Sequence, residues 1–446
     1  MPRLKAWKML DRRIQIEITD FTQDGRGVGH YDGMAVFVPY ALIGDIVEAE
    51  VTMQKKRYLE AEVIALVEAS PNRREFAELD SIENDFCPLI NLQPEAEKRW
   101  KINLFKQQLK RIAGIDVEAN YKDSPEFNYR NKANLRVDNA GKLALSKRKS
   151  NDLEAIDSSP IFQSEINDLI SAWNAGAREN EPLQRLKDKI HMVLIRANRD
   201  GETMLILMVS KMSRPEQDDL MGSLSALGAK ILGITEVRSP RQSYISRPII
   251  YYTEDKYLDE NILGLDIKLS ANSFLQVNQF TLEDLYGQSQ QFFKHVEDEV
   301  ILDLYCGIGI SSIDLAKRAK KVIGVESVKR AILDAEENAR VNGVDNIEFI
   351  AAKAEDVIEK LVEQHEISKI IVDPPRKGLD KVVVESIIKS GVDQVLYMSC
   401  NPASLARDFK LFSEAGYEVV EAEVINQFPN TSHVETVCLL TRISSM

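Results

Sequence analysis

From about residue 264 onward the chain repeats one pattern, a short apolar run followed by a stretch with helical spacing. The apolar runs lie at 300–304, 321–325, 370–372 and 394–398. Strands that alternate with helices form parallel sheets with helices on both faces. Ligands of such sheets bind at the carboxyl ends of the strands. The sequence therefore predicts an α/β domain with a Rossmann-like sheet over residues 265–446, and a binding site just after its strands.

The beginning of the chain has a different, all-β pattern. Ile14, Ile16 and Ile18 alternate with polar residues, and Asp32-Gly33 is a hairpin signal. About five short strands with a basic turn at 54–57 indicate an OB-like barrel, a fold that commonly binds oligonucleotides. We therefore predict a barrel domain over residues 1–68. A barrel that only packs against its neighbour is the alternative, because fold does not fix function.

The segment between these two parts, residues 69–264, predicts a linker helix followed by an α+β domain. The helix is expected to open at Pro94 and to run through Ile112. Between residues 95 and 150 there are 14 Lys and Arg against 7 Asp and Glu, a local charge of +7, whereas the whole chain carries −13. The basic stretches 129–132 and 147–149 are candidates for holding RNA phosphates, although a solvated face is the ordinary alternative.

Composition restricts the class of protein further. Of the residues, 44% are hydrophobic and 28% are charged, which is typical of a globular protein. No run of about eighteen uncharged apolar residues occurs, and no leader-like segment is recognisable, so we expect a cytoplasmic protein that does not cross a membrane. The 4 cysteines form no C-x-x-C pair, which argues against disulfides and against a zinc site.

The first strand of the α/β domain ends in a glycine turn. Tyr305 follows the strand, Gly307 and Gly309 open the next helix, and Glu326 closes the next strand. Glycines allow a ligand to approach the backbone, and an acid about twenty residues later is suited to a ribose hydroxyl. The third glycine of a dinucleotide fingerprint is missing. The arrangement looks like the S-adenosylmethionine-binding methyltransferase fold, which we favour over a dehydrogenase. We interpret Cys306, inside the turn, as a small filler.

Asp373-Pro374-Pro375 ends a further buried strand. The two prolines fix the chain and remove amide donors, so that the Asp373 carboxylate faces the same sheet edge. Similar turns serve amino-group methyltransferases, and on this motif alone an exocyclic nitrogen is a possible target.

Cys400 favours a different target. It follows the apolar run 394–398, so a thiol is presented at the sheet edge, although a buried structural cysteine is the common alternative. Addition of a thiolate to carbon 6 of a pyrimidine makes carbon 5 nucleophilic enough to accept a methyl group, and a base must then remove the carbon 5 proton. Glu435 and His433 are the candidate bases, and the residues alone do not separate them.

At this point a family resemblance becomes clear. The stretches SFLQVN (273–278), LDLYCGIG (302–309), VDPPRKGLD (372–380), YMSCNPASLARD (397–408) and FPNTSHVET (428–436) resemble those of the RNA uracil-5 methyltransferases. The beginning of the chain resembles the TRAM domain of members that act on 23S ribosomal RNA. The resemblance implies that Cys400 is the nucleophile, Glu435 the base, and Gln276, Tyr305, Gly307, Glu326 and Asp373 the cofactor-binding residues.

Two departures from the family pattern are visible. Ile310 stands where family members often have an asparagine, which removes one expected cofactor contact. Many relatives bind an iron–sulfur cluster through four cysteines, but here only Cys87 is kept and Ser159 stands where a second cysteine is expected. We therefore predict no metal.

The sequence thus predicts an S-adenosylmethionine-dependent methyltransferase that makes 5-methyluridine in structured RNA, with 23S ribosomal RNA as the expected substrate. The target base is expected to turn out of its stack into the crevice near Asp373, Cys400 and Glu435. Three alternatives stay open: a transfer RNA substrate, cytosine-5 methylation by the same chemistry, and a non-catalytic RNA-binding protein.

Overall fold

The computed structural model describes residues 12–22, 24–76, 87–146, 152–239, 245 and 247–443. The chain divides into two compact units, the first made of residues 1–103 and 428–433 and the second of residues 104–427 and 434–446. The predicted boundary near residue 264 falls inside the second unit, and the division into three domains stays a prediction. The basic run 147–149 lies outside the described residues. Among the helices described, none is long and apolar enough to cross a membrane.

The first unit contains the predicted OB-like barrel. Five strands close on themselves in the order β1-β2-β3-β5-β4. Their bounds are β1 Arg13–Phe21, β2 Gly27–Tyr31, β3 Met34–Val38, β4 Ile46–Gln54 and β5 Tyr58–Glu68. Alternation sets the core, because Ile14, Ile16 and Ile18 are at most 4% exposed and pack with Val36 and Leu59.

A short segment from far along the chain completes this unit. Residues 428–433 belong to it, and the backbone amide of Asn430 donates to the buried carboxylate of Glu97 at 3.0 Å. Lys101 donates to the carbonyl of Phe428 at 3.0 Å and pairs with Glu97 at 2.6 Å. Because both charged side chains are buried, the pair depends on these additional hydrogen bonds for its polar partners.

The second unit begins in helix α1 (Pro94–Ala113) and contains a seven-stranded sheet in the order β13-β12-β11-β10-β7-β8-β9. The strands are β7 Lys132–Val137, β8 Leu143–Ser146, β9 Leu153–Ala155, β10 Ile190–Ala197, β11 Thr203–Val209, β12 Ile231–Glu236 and β13 Ile250–Tyr251. The apolar runs of the sequence predict strands near residues 135–137, 192–195 and 204–209, and β7, β10 and β11 confirm them. All seven residues of β11 are buried, as expected for a central strand.

A second sheet carries the predicted Rossmann-like pattern. Its order is β18-β17-β16-β19-β20-β22-β21-β6. The bounds are β6 Asn120–Lys122, β16 Val300–Leu304, β17 Lys321–Glu326, β18 Ile347–Ala351, β19 Ile367–Val372, β20 Gln394–Ser399, β21 Tyr417–Ile425 and β22 Glu435–Arg442. Between this sheet and the preceding one, β14 (Leu258–Ile262) and β15 (Leu265–Leu269) form a separate hairpin.

The predicted parallel sheet is present, and it continues into further strands of mixed direction. Strands β16 to β20 pair in parallel, but β22 runs antiparallel to both β20 and β21. β21 and β22 follow one another closely in the chain, so a short connection can join them only as antiparallel neighbours. This reversal brings the start of β22 to the edge where the parallel strands end.

Helices pack on the strands and connect them. They are α2 Ser164–Gly176, α3 Glu181–Leu186, α4 Arg214–Leu224, α5 Leu282–Tyr286, α6 Gln288–Phe292, α7 Ile310–Ala316, α8 Lys329–Val341, α9 Ala354–Gln364, α10 Lys381–Ser390 and α11 Pro402–Glu414. The sequence predicts that helical spacing resumes at Leu405, but α11 already begins at Pro402. Asn401 caps it by accepting from the amide of Ala403 at 3.2 Å, and proline fits a first turn because it has no N–H to satisfy.

Candidate active site

Four neighbouring strands end at one edge of the eight-stranded sheet. In the order β17-β16-β19-β20, they are followed or closed by Glu326, Tyr305, Asp373 and Cys400. These are four of the seven residues singled out from the sequence. Their convergence follows from parallel pairing, which aligns the carboxyl ends of neighbouring strands.

The turn after β16 leaves room for a ligand. Tyr305 and Gly307 have positive φ angles of 66° and 57°, and the amide of Tyr305 donates to Val325 at 2.8 Å. A Cβ placed on Gly307 would meet no heavy atom within 4 Å, whereas one on Gly309 would lie 2.8 Å from the ring of Phe349. Gly307 therefore faces open space, as a cofactor cradle requires, and Gly309 permits the tight packing of α7.

Glu326 is held at the end of β17. Its Oε1 accepts from the amide of Val328 at 2.8 Å and from the Ser327 hydroxyl at 3.0 Å. These contacts orient the carboxylate at the sheet edge in the position that suits a ribose hydroxyl.

Two aspartates lie deeper at the same edge. Burial raises the pKa of Asp373 to about 6. Burial also raises the pKa of Asp303, within β16, to about 7, and the charges of Asp373 and Glu326 add to this effect although the Ser312 hydroxyl opposes it. The effect of the Asp373 and Glu326 charges on Asp303 agrees with the position of all three carboxyl groups at one edge of the sheet.

The loop that carries Cys400 is fastened to the loop that carries Asp373. Asn401 and Ser404 donate to the carbonyl of Arg376, at 2.9 and 3.0 Å. The amide of Asn401 donates to the Ser399 hydroxyl at 3.1 Å. These hydrogen bonds fix the thiol-bearing turn against the turn that follows β19.

Strand register brings Glu435 to Cys400. Ser399, the last residue of β20, pairs with Thr436 of β22. Cys400 follows Ser399 and Glu435 precedes Thr436, so the two residues lie next to each other at the end of this ladder, and the charge of Glu435 acts on the Cys400 thiol. The Thr436 hydroxyl donates to the Ser399 carbonyl at 3.0 Å and fastens the two strands at this position.

The thiol and the carboxyl group perturb each other. Burial raises the pKa of the Cys400 thiol to about 11, the nearby Glu435 carboxylate adds to the rise, and the Arg376 guanidinium opposes it. Glu435 is 3% exposed, and burial followed by the charge of Asp373 raises its pKa well above the usual value. Perturbed groups clustered in a crevice are typical of active sites.

Gln276 lies among residues that the sequence analysis missed. Its side-chain oxygen accepts a hydrogen bond from the Gln427 side chain at 3.2 Å, and its backbone N–H donates to the Tyr286 hydroxyl at 3.3 Å. Burial and the charges of Asp373 and Glu435 raise the pKa of Tyr286, so this tyrosine also borders the crevice and stays neutral. Nothing in the local pattern around Tyr286 signals this, because α5 has no strand end or glycine turn.

Other residues considered from the sequence lie elsewhere. His433 belongs to the first unit, where its ring packs edge-on against Phe428 at 5.6 Å. Cys306 points at Gly324, where a Cβ would lie 3.1 Å from its sulfur, which agrees with a filler. Ile310 is 1% exposed, in the core. In the described part of the chain, no group of three or more His, Cys, Asp or Glu side chains is placed to hold a metal ion.

Comparison with known proteins identifies similar chains. The profile of the tRNA (Uracil-5-)-methyltransferase family matches residues 95–443, and that of the TRAM domain matches residues 8–64. A protein named as an uncharacterized RNA methyltransferase from Caldanaerobacter subterraneus is 33% identical over 97% of this chain and 99% of its own length. One from Fusobacterium nucleatum is 32% identical over 96% of each chain.

A solved structure is also similar over nearly the whole chain. The Pyrococcus abyssi tRNA (uracil-54, C5)-methyltransferase, in complex with S-adenosyl-L-homocysteine, has a TM-score of 0.77 and 26% sequence identity. The match covers 96% of this chain and 100% of that chain.

Proposed function

The chain belongs to the tRNA (uracil-5-)-methyltransferase family, and from that premise we propose that it methylates a uridine of 23S ribosomal RNA through a covalent adduct with Cys400. It is an RNA uracil-5 methyltransferase that uses S-adenosylmethionine. The observation that carries the proposed mechanism is the pairing of Ser399 with Thr436, which brings the adjacent residues Cys400 and Glu435 together at the edge where Asp373 lies.

Cys400 begins the reaction as a thiolate. Its sulfur adds to carbon 6 of the uracil, the carbon 5–carbon 6 double bond opens, and the electron pair passes to carbon 5 and the carbonyl oxygen at carbon 4. The Arg376 guanidinium favours the thiolate against the opposing effect of burial. The turn fixed by Asn401 and Ser404 keeps the sulfur in place during this addition.

Five residues of the chain are suited to hold the cofactor. Glu326 offers a carboxylate for the ribose, Gly307 and Tyr305 form the open turn, and Gln276 and Asp373 border the same crevice. When bound, S-adenosylmethionine would supply a methyl group on a positively charged sulfur. Carbon 5 of the adduct accepts this methyl group, and the sulfur is the leaving group.

Glu435 completes the cycle by removing the proton from carbon 5. A carboxylate whose pKa is raised by burial is a stronger proton acceptor than one in water. The electrons of the broken C–H bond restore the double bond, and the Cys400 sulfur leaves carbon 6. The net products are 5-methyluridine, S-adenosylhomocysteine and one proton.

Two substitutions test these roles separately. Cys400→Ala removes the nucleophile, so neither methyl transfer nor an adduct is expected. Glu435→Gln leaves addition and methylation possible but blocks proton removal, so we expect a methylated RNA–protein adduct that survives denaturing electrophoresis. Cys438→Ala, which changes a fully buried thiol on β22, serves as the control and keeps activity. An active Cys400→Ala enzyme, or a Glu435→Gln enzyme that turns over normally, contradicts the mechanism.

The proposed substrate is supported by the RNA-binding part of the chain. The TRAM barrel and, separately, the basic sequence between residues 95 and 150 are each suited to contact a large structured RNA, which is recognised mainly by shape and backbone. A transfer RNA uridine is the second candidate, favoured by the similarity to the Pyrococcus abyssi transfer RNA enzyme.

A parallel assay distinguishes the two substrates. Methyl transfer from labelled S-adenosylmethionine is measured with unmodified 23S ribosomal RNA and with unmodified transfer RNA, and the product nucleosides are identified by mass spectrometry. We expect label in 5-methyluridine of the ribosomal RNA. Label confined to transfer RNA supports the second candidate, and label in 5-methylcytidine contradicts the assigned target base.

A further inference from the structure

A large cavity in the second unit lies outside the crevice of Cys400 and Glu435. Its volume is about 870 Å³, which is within the range of ligand sites. One wall comes from the seven-stranded sheet, through Lys132 and Met208. Another comes from the segment 270–272 and from the start of α8, including Arg330. None of the seven residues singled out from the sequence lines it.

The charges that line this cavity have one sign. Lys132, Arg247, Lys256 and Arg330 contribute cations, and no aspartate or glutamate is among the described residues that line it. Arg330 also forms an ion pair with Asp334, and Arg247 forms one with Glu236. The charges of both arginines are therefore partly neutralised by carboxylates that do not line the cavity. In a chain with a net charge of −13, a cavity whose described charged lining residues are all basic is suited to an anion such as a phosphate group.

A bound anion would stabilise the charged form of Lys132. Burial, together with the neighbouring guanidinium groups of Arg196 and Arg130, lowers the pKa of its ammonium group to about 7. A phosphate oxygen next to the amine would restore the charged form by offsetting both repulsion and lost hydration. Among the described residues that line the cavity, none supplies a negative charge next to Lys132, so a bound anion is suited to this position.

The same cavity offers aromatic and apolar surface. Tyr251 and Tyr257 line it together with Leu194 and Met208, and Tyr257 accepts a hydrogen bond from Arg330 at 3.0 Å. Unpaired bases bind proteins by stacking on aromatic rings, with cations nearby for the backbone. Cations and tyrosines together match a nucleotide better than they match a free phosphate.

The location links the cavity to the reaction. Val328 and Arg330, which line it, lie two and four residues after Glu326, and Ser270 to Asn272 precede the segment that carries Gln276. We propose that this cavity binds one unpaired nucleotide of the substrate RNA, distinct from the target uridine, with its phosphate on Lys132 and its base against Tyr251 and Tyr257. This inference rests on the proposed function, because it assumes an RNA substrate.

The test uses the full chain, the RNA that it methylates, and three variants. Lys132→Gln and Tyr257→Ala should raise KM for RNA at least about fivefold, because a stacked base or a phosphate contact contributes that much. We expect kcat at saturating RNA, and the affinity for S-adenosylmethionine measured by calorimetry, to stay unchanged. Lys389→Gln is the matched control. Lys389 lies in the last turn of α10, which leads into the start of β20, and the cavity and the site lie away from the starts of the parallel strands.

Single abasic nucleotides introduced at each unpaired position of the RNA identify the bound base. One position should raise KM for the wild-type enzyme and have no further effect on Tyr257→Ala, because both changes remove the same stacking contact. Tyr257→Phe keeps the ring and should behave like the wild type. An altered cofactor affinity with unchanged KM, or abasic effects that add to Tyr257→Ala at every position, overturns the proposal.

Failure of the proposed function is recognised independently. If neither RNA is methylated, binding of a fluorescent 12-nucleotide single-stranded RNA is measured by anisotropy. Weaker binding by Lys132→Gln and Tyr257→Ala, but not by Lys389→Gln, then still supports the cavity as a nucleotide site. Equal binding by all variants refutes it.

Discussion

The reactivity of Cys400 depends on a balance between burial and a single cation. With a thiol pKa of about 11, only about one thiol in a thousand is ionised at pH 8. Arg376 is the basic residue that lowers this pKa, while Glu435 and Asp373 raise it. The side chain of Arg376 therefore controls the fraction of nucleophile, whereas its carbonyl holds the loop.

We expect Arg376→Ala to slow alkylation of Cys400 in the free enzyme. Loss of the guanidinium removes a positive charge that opposes the effect of burial, so the thiol pKa rises and the thiolate fraction falls, by at least about threefold. The measurement is the rate of carboxamidomethylation of the Cys400 peptide by mass spectrometry between pH 7.5 and 9.5. Lys377→Ala, at the adjacent exposed cation, should leave the rate unchanged, and an equal slowing by both variants contradicts a specific role of Arg376.

Sequence reasoning located the strand-end residues but not the whole crevice. Tyr305, Glu326, Asp373 and Cys400 were foreseeable because each follows or closes an apolar run, and parallel strands align their ends. Tyr286 was not foreseeable, because it reaches the crevice only through the packing of a short helix. These positions are structural facts, and the catalytic roles of Cys400 and Glu435 stay proposals.

At the scale of elements, a buried polar network joins β10 to α8. Arg196, 1% exposed, donates to the carbonyl groups of Ser270 and Ser273 at 3.3 and 2.7 Å. The hydroxyl groups of both serines donate to Asp334 on α8, at 2.6 and 2.8 Å. Since the chain continues from Ser273 to Gln276, this network supports the segment proposed to contact the cofactor.

Removal of Asp334 should weaken both the fold and cofactor binding. Asp334→Ala leaves two buried hydroxyl groups and Arg330 without their acceptor, which costs about 2–4 kcal/mol of unfolding free energy. We expect a lower melting temperature and a higher Kd for S-adenosylmethionine, both measured on the same preparation. Glu336→Ala, an exposed change on the same helix, is the control. Unchanged cofactor affinity in a destabilised Asp334→Ala enzyme would limit the network to a structural role.

The elements were more predictable than their order. Most of the longer strands follow from apolar runs, and the structure confirms them, whereas β6, β8, β9, β12 and β13 were not predicted. The placement of β22 between β20 and β21 depends on contacts distant in sequence, which local patterns do not contain. For the same reason the residues alone did not separate Glu435 from His433, and only the family resemblance favoured Glu435. The structure places Glu435 at the start of β22, beside the end of β20 that Cys400 follows.

At the scale of the molecule, buried carboxyl groups give stability a pH dependence. Burial raises the pKa of Glu260 from its usual value to about 7. The folded state therefore keeps a proton that the unfolded state loses above about pH 4.5, so stability falls as pH rises from about 4.5 to 7 and is level above that range. Asp303 and Glu435 contribute in the same direction.

Glu260→Gln should remove its part of this dependence. The variant is expected to be more stable than the wild type at pH 8, by up to about 3 kcal/mol, and similar to it at pH 5. Denaturant midpoints at pH 5, 6.5 and 8 provide the comparison. Glu254→Gln, at an exposed glutamate, should follow the wild type at every pH. A parallel pH profile for Glu260→Gln and the wild type would show that Glu260 does not cause the slope.

The segment 428–433 determines when the first unit can finish folding on the ribosome. Glu97 is translated 333 residues before Asn430, whose amide it accepts in the folded protein. At 5–20 residues per second, the delay is roughly 15–70 seconds. During this interval Glu97 and Lys101 lack the backbone partners that they have in the finished unit. The barrel strands are therefore synthesised early, but the first unit can form its last contacts only after Asn430 has been synthesised. During the interval a chaperone can bind the incomplete unit.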